Sequence, residues 1–210
     1  MKIEMYADVL CPWCYIGKRR LAAALTGVPD RHRIQVVWRS YELAPHEGRT
    51  PGRTAAEAMA DWWADAAPAR IARIRTLGAA EGLELNLHLA RPVNTFDAHR
   101  LVHLAADRGL ADETMERLLR AYHTEGLDIA APDTLRRLGV DAGLDVADVR
   151  TLLAGDAYAD RVRADERRAV ERGVTGVPSL VIDGRPPVSG VQAPDRLRRL
   201  LGGRPAVPAE

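Results

Sequence analysis

An α/β fold interrupted by an all-helical insertion is what this sequence predicts, and three observations carry the prediction. Residues 1–45 read β-α-β, with the only two cysteines, Cys11 and Cys14, at the first strand-to-helix turn. Residues 54–155 keep helical spacing of apolar side chains, interrupted by an irregular stretch at 83–93. Residues 156–202 return to an α-β-β-α pattern, with a strong hairpin signal at Asp183-Gly184.

In chain order, Ile3, Met5, Ala7 and Val9 alternate with Lys2, Glu4, Tyr6 and Asp8, the period-two pattern of a strand with one polar face. A helix follows over 12–26 and stops near Gly27-Val28-Pro29. Ile34 to Trp38 is rich in β-branched residues and reads as a second strand. The stretch from Ala44 to Arg53, with two prolines and two glycines, is a loop. Thr54 and Glu57 fit a capping box that opens the helical block. Pro68 opens the next helix, with Ile71, Ile74 and Leu77 along one face. Leu83 to Val93 is irregular. A helix over 96–108 carries Ala98, Leu101, Val102 and Ala105, and another carries Met115, Leu118, Leu119 and Tyr122. Pro132 starts a short helix, Asp145 caps another, and a long helix runs over 156–172. Ser179 to Ile182 is a strand, Val188 to Gly190 closes the hairpin, and Pro194 opens a last helix. Residues 203–210 read as a flexible tail.

Two thiols separated by Pro12 and Trp13 can close a small intramolecular disulfide. With Cys11 at the N-cap of the first helix, free N–H groups and the positive end of the helix dipole favour its thiolate. Pro12 then takes the first helical position, where its missing N–H costs nothing. Cys14, one turn in, suits attack on a mixed disulfide formed at Cys11. Half of a zinc site is the competing interpretation, but zinc takes four ligands and the chain has no third cysteine.

Composition narrows the class. The chain has 210 residues, 47% of them hydrophobic, enough to bury a good core. Net charge is +1 with no long basic run, which argues against nucleic acid or an anionic membrane as partner. Lys2 and Lys18 are the only lysines, so arginine makes up the rest of the 30 basic residues. No apolar stretch reaches the length of a transmembrane helix, and Met1 to Tyr6 runs straight into a strand rather than forming a signal peptide. The expected compartment is the cytoplasm, where a cysteine pair is catalytic more often than structural.

The order β-α-β, helical insertion, α-β-β-α is that of a thioredoxin fold carrying a helical domain, with segments 1–45 and 156–202 flanking an insertion over 54–155. Val177-Pro178, a turn-rich approach to a strand, is compatible with either a cis or a trans bond.

Five segments resemble the FrnE-like branch of the DsbA family, close to the 2-hydroxychromene-2-carboxylate isomerases and kappa-class glutathione transferases. They are Leu10 to Arg19, Asn94 to Leu101, Ala121 to Ile129, Gly173 to Pro178 and Ser189 to Gln192. The resemblance implies thiol–disulfide oxidoreductase activity with Cys11 as nucleophile and Cys14 as partner. It makes Pro178 a cis-proline facing the thiols and Val177 a backbone contact for an extended substrate. It brings Asn94 and His99 toward the substrate, as in the related isomerases. Family members often carry an aromatic residue after that proline, where this chain has Ser179.

Asp8 reads as a solvated strand end, with a proton-accepting role for Cys14 as the alternative. Trp13 reads as exposed and available to apolar substrates. Trp62 and Trp63 read as core. Asn94-Thr95 reads equally well as a helix cap. His99 and His103 stand one helical turn apart, away from the main apolar stripe, and no third ligand makes them a metal site. Expected partners are protein or small-molecule disulfides and thiols, glutathione among them, without cofactor or metal; a homodimer is left open. Two further functions stand behind the oxidoreductase: a thiol-dependent isomerase or transferase of polyketide or aromatic intermediates, and a redox-sensing chaperone module.

Overall fold

The computed structural model describes residues 1–202; the expected tail at 203–210 lies outside the described residues. Four strands form one sheet: β1 (Lys2–Ala7), β2 (Gln35–Ser40), β3 (Ser179–Ile182) and β4 (Val188–Ser189), in the order β2-β1-β3-β4. β1 and β2 run parallel, with Lys2 opposite Gln35 and Ala7 opposite Ser40. β3 runs antiparallel to β1 and to β4. The parallel pair is joined across α1 (Pro12–Thr26), and β3 and β4 by a turn with Asp183 and Gly184 both at positive φ, the backbone the Asp-Gly pair predicts. This is the thioredoxin-like α/β arrangement that the element order predicts.

Between β2 and β3 lie α2 (Ala55–Trp63), α3 (Ala67–Ala80), α4 (Phe96–Asp107), α5 (Ala111–His123), α6 (Pro132–Asp141), α7 (Val146–Ala154) and α8 (Ala159–Glu171); α9 (Pro194–Leu200) closes the described chain. The local signals act as expected. Thr54 and Glu57 form a complete capping box, and Asp145 accepts hydrogen bonds from the N–H groups of Ala147 and Asp148. Among the described residues no helix is long and apolar enough to cross a membrane.

The sheet is covered on both faces. Ile3, Met5 and Ala7 join α1 and α9 in the main core, while Tyr6 packs with Val181 and with Ala169 of α8. The face of β1 expected to be polar is therefore buried. Glu4 is matched there by Arg39, whose guanidinium also reaches Asp165 of α8 at 2.9 Å. Asp165 further accepts from the Ser40 N–H at 3.0 Å and faces His103 at 3.2 Å. Burial works against its charge, but the hydrogen bonds from His103 and Ser40 and the charge of Arg39 hold its carboxyl below the usual range.

α4 is the axis of the helical block, and Asp97 to Ala105 are all buried. This corrects the expectation that His99 and His103 lie off the packed stripe. α5, α7 and α8 enclose α4, so almost no side is left to solvent. Arg100, buried within it, donates to the carbonyls of Leu152, Gly155 and Ala157 and to Asp97, which fixes the end of α7. Trp62, expected in the core, is 68% exposed: the buried face of α2 is Ala55 and Met59, and Trp62 points away from it. Trp63 is half-buried beneath Arg70, whose guanidinium lies 5.0 Å from its ring.

Candidate active site

Cys11 is the N-cap of α1, with extended backbone (φ −86, ψ 109), and Pro12 occupies the first helical turn. The turn is closed by the Cys11 N–H donating to the Asp8 carbonyl and the Cys14 N–H donating to the Cys11 carbonyl. The chain thus enters the helix with the first thiol at the end that carries free N–H groups. Cys11 is 4% exposed and Cys14 fully buried, both as free thiols. Burial, with the Cys11 sulfur beside it, pushes the Cys14 thiol well up from its ordinary value.

The opposite wall comes from the far end of the sequence. The Val177–Pro178 bond is cis, and the Cys11 thiol faces the Val177 carbonyl at 3.6 Å. This wall is clamped against α1. A Cβ on Gly17 would meet the Pro178 ring at 3.0 Å and the Gly190 carbonyl at 3.1 Å, so any larger residue would have to push this wall back by a few tenths of an ångström. Ser179, standing after the proline, turns its hydroxyl inward to the Gly176 carbonyl at 2.6 Å. Trp13 is half-buried rather than exposed, because it packs against the core while lining a groove at the mouth of the site.

Behind the thiols is a buried layer of titratable groups. Asp8 is fully buried, which corrects the solvated strand end expected for it. The loop after β2 folds over it, and Asp8 accepts from the Leu43 N–H at 2.6 Å. Its other oxygen is 3.4 Å from His99 Nε2. His99, expected to meet substrate, is 1% exposed and reaches the site only through Asp8. The Asn94 side chain accepts from the Phe96 N–H at the start of α4 and donates to the Pro45 carbonyl, which ties that helix end to the loop after β2.

His123 and Glu42 belong to the same layer and were not singled out from sequence. His123 lies against the backbone of Val9 and Cys11, between the rings of Tyr15 and Tyr122, and among the described residues neither ring nitrogen makes a hydrogen bond. Burial pushes its imidazole down to about 4, so it is neutral near pH 7. Burial, with Glu166 beside it, pushes the Glu42 carboxyl up to about 7, against the pull of Arg163 at 2.8 Å. Nothing in the local sequence of either residue marks it, because elements distant in the chain bury both. His99 and His103 face different carboxylates, Asp8 and Asp165, and among the described residues no group of three His, Cys, Asp or Glu is placed to hold a metal ion.

Comparisons with known proteins follow this geometry. A solved structure of a probable DsbA oxidoreductase from Streptomyces coelicolor superposes with a TM-score of 0.90 at 35% identity, over 100% of this chain and 94% of that one. The cytosolic disulfide reductase DsbM from Pseudomonas aeruginosa, solved with GSH, shares the fold with a TM-score of 0.69 at 22% identity, over 96% of this chain and 98% of that one. The uncharacterised protein YwbO of Bacillus subtilis is 26% identical over 182 residues, 86% of each chain. The family model for the DSBA-like thioredoxin domain matches residues 2–202, almost the whole described chain, and the chain belongs to that family.

Proposed function

We propose that this protein is a thiol–disulfide oxidoreductase that works through a mixed disulfide at Cys11 and its resolution by Cys14. The observation that carries the reading is the asymmetry of the pair. Cys11 stands at a helix N-cap, 4% exposed, against the Val177 carbonyl, while Cys14 is fully buried behind it. An incoming disulfide meets only Cys11.

In the reducing direction the Cys11 thiolate attacks one substrate sulfur, the substrate S–S bond breaks, and the other substrate sulfur leaves as a thiolate. Cys14 then gives up its proton and attacks the Cys11 sulfur. The Cys11–Cys14 bond forms, the second substrate thiolate departs, and the substrate has gained the two electrons the pair has lost. Two equivalents of a low-molecular-weight thiol return the pair to the dithiol. The fully buried carboxylate of Asp8 is the proton acceptor this reading assigns to Cys14. Val177 offers its backbone to the substrate beside Pro178, and Pro12 and Trp13 form the near rim. Residues 54–155 serve in this reading as the insertion that walls the site. The cytosol is the proposed compartment, and thiols such as glutathione are proposed partners, in line with the cytosolic reductase of the same fold.

Glutathione-coupled disulfide reduction tests the reading in wild type, Cys11→Ser and Cys14→Ser. The Cys11 variant is expected to lose activity by at least about a hundredfold. The Cys14 variant is expected to accumulate a substrate adduct on Cys11, seen by mass spectrometry. Full activity in Cys11→Ser sinks the proposal.

A further inference from the structure

A groove of about 700 Å³ opens beside the thiol turn, lined there by Trp13 and by Val177–Pro178. Its walls are Trp13 and Arg20 from α1, Arg73 and Leu77 from α3, and the Val177–Pro178 loop. Its lining is mixed: Trp13, Leu77, Val177 and Pro178 supply apolar surface, and Thr175, Ser179, Ser189 and the arginines supply polar surface. Among the described residues two arginines and no acidic side chain line it.

The two arginines differ. Arg20 is committed to structure: it pairs with Glu81 just beyond α3 at 2.7 Å and donates to the Val191 carbonyl at 2.6 Å. It thereby ties α1, the end of α3 and the segment after β4 into one frame. Arg73 is exposed and, among the described residues, makes no ion pair or hydrogen bond. It stands one helical turn before Leu77, so both side chains lie on the face of α3 that lines the groove. The groove therefore presents one uncompensated positive charge on a mixed polar and apolar surface that runs up to Trp13 and Val177–Pro178, the residues beside the thiols.

We propose that Arg73 selects disulfide substrates that carry a carboxylate on the chain attached to the reacting sulfur. The inference rests on the thiol–disulfide exchange proposed for Cys11 and adds its substrate class. The groove walls hold the segment, with Trp13 and Leu77 as its apolar contacts, and the Arg73 guanidinium, with its planar set of donors, pairs with the carboxylate. Two sources share that chemistry, an acidic protein segment around a cysteine and glutathione itself. A surface guanidinium facing a carboxylate is worth about 0.2–1 kcal/mol, or up to about fivefold in rate, and swapping attraction for repulsion extends the range to about tenfold. Salt at 1 M, where the Debye length is about 3 Å, suppresses it.

The test uses ten-residue peptides with one cysteine joined to a neutral 2-thiopyridyl group, flanked by Glu, Gln or Lys. Each rate of thiopyridone release by the reduced protein is divided by that for dithiothreitol, which removes the intrinsic effect of charge on the disulfide. Wild type is expected to favour the Glu peptide over the Lys peptide about tenfold at low salt. Arg73→Gln flattens the series and Arg73→Glu reverses it. The glutathione adduct and its dimethyl ester form a parallel arm. A preference for the adduct over its ester points to glutathione as the source, and a preference confined to peptides points to an acidic protein segment. A wild type blind to charge, or an order unchanged in Arg73→Glu, overturns the inference. Serine versions of the peptides, followed by fluorescence anisotropy, read the same order without redox chemistry. Failure of exchange at Cys11 with retained binding order therefore strikes the proposed function and leaves the role of Arg73 standing; equal binding of Glu and Lys peptides strikes Arg73.

Discussion

Asp8 is fully buried although it stands at the end of a strand beside the thiol turn. Its side chain is held by the Leu43 N–H and by proximity to His99, and Cys14 is buried in the same layer. A thiol raised by burial resolves a mixed disulfide slowly unless a base takes its proton. Asp8→Asn keeps the shape and removes the proton acceptor proposed for Cys14. The expected result is normal formation of the Cys11 adduct and resolution slowed by about a hundredfold. Quenched-flow mass spectrometry separates the two steps, and unchanged resolution removes Asp8 from the mechanism. Period-two alternation put Asp8 on a polar face, and that much was legible. The loop after β2 that covers it is not written into residues 2–9. The same limit explains Trp62, which looks like core by residue type and is exposed because of the way α2 lies.

At the scale of elements, α1 is held to the cis-proline loop by the absence of a side chain at Gly17. Both atoms that a Cβ would meet, the Pro178 ring and the Gly190 carbonyl, are part of fixed structure. Alanine normally improves a helix interior by about 1 kcal/mol over glycine. Here overpacking is expected to outweigh that gain, at about 1–3 kcal/mol. Gly17→Ala is therefore expected to lower the urea midpoint and to slow exchange at Cys11, since Pro178 must move. A raised midpoint shows that the contact yields. The helix was readable from its apolar spacing, its proline at the start and its glycine at the end. Its partner was readable only as a resemblance, because Gly17 and Pro178 are brought together by the sheet and not by any local signal.

For the whole molecule, two buried groups give opposite responses to pH. The Glu42 carboxyl, raised from 4.5 to about 7, keeps its proton in the fold after the unfolded chain has lost it. Its contribution to stability is full below about 4.5 and is lost as pH rises through about 7. The His123 imidazole, lowered from 6.5 to about 4, stays neutral in the fold after the unfolded chain has gained a proton. Its contribution is full above 6.5 and is lost as pH falls toward about 4. At about 1.4 kcal/mol per pKa unit each effect approaches about 3 kcal/mol, and the two oppose each other between pH 4.5 and 6.5. Wild type is therefore expected to show a shallow profile there. Glu42→Gln exposes a rise in stability with pH over that window, and His123→Leu exposes a fall. Urea midpoints at half-unit steps check both slopes; parallel profiles in the two variants refute the assignment.

The sequence by itself determined the cysteine pair, its place at the head of a helix, the capping box at Thr54 and Glu57, the turn at Asp183-Gly184 and the order of elements. These are effects of neighbouring residues, since turns, caps and periodicity act within a few positions. Only the tertiary structure decided that Asp8, His99, Glu42 and His123 form a buried layer behind Cys14, and that Arg73 opens onto the groove while Arg20 is spent on Glu81. The physical reason is that burial and charge compensation depend on what covers a side chain. Here the covering elements, α4, α5, α8 and the loop after β2, come from parts of the chain far from the residues they enclose.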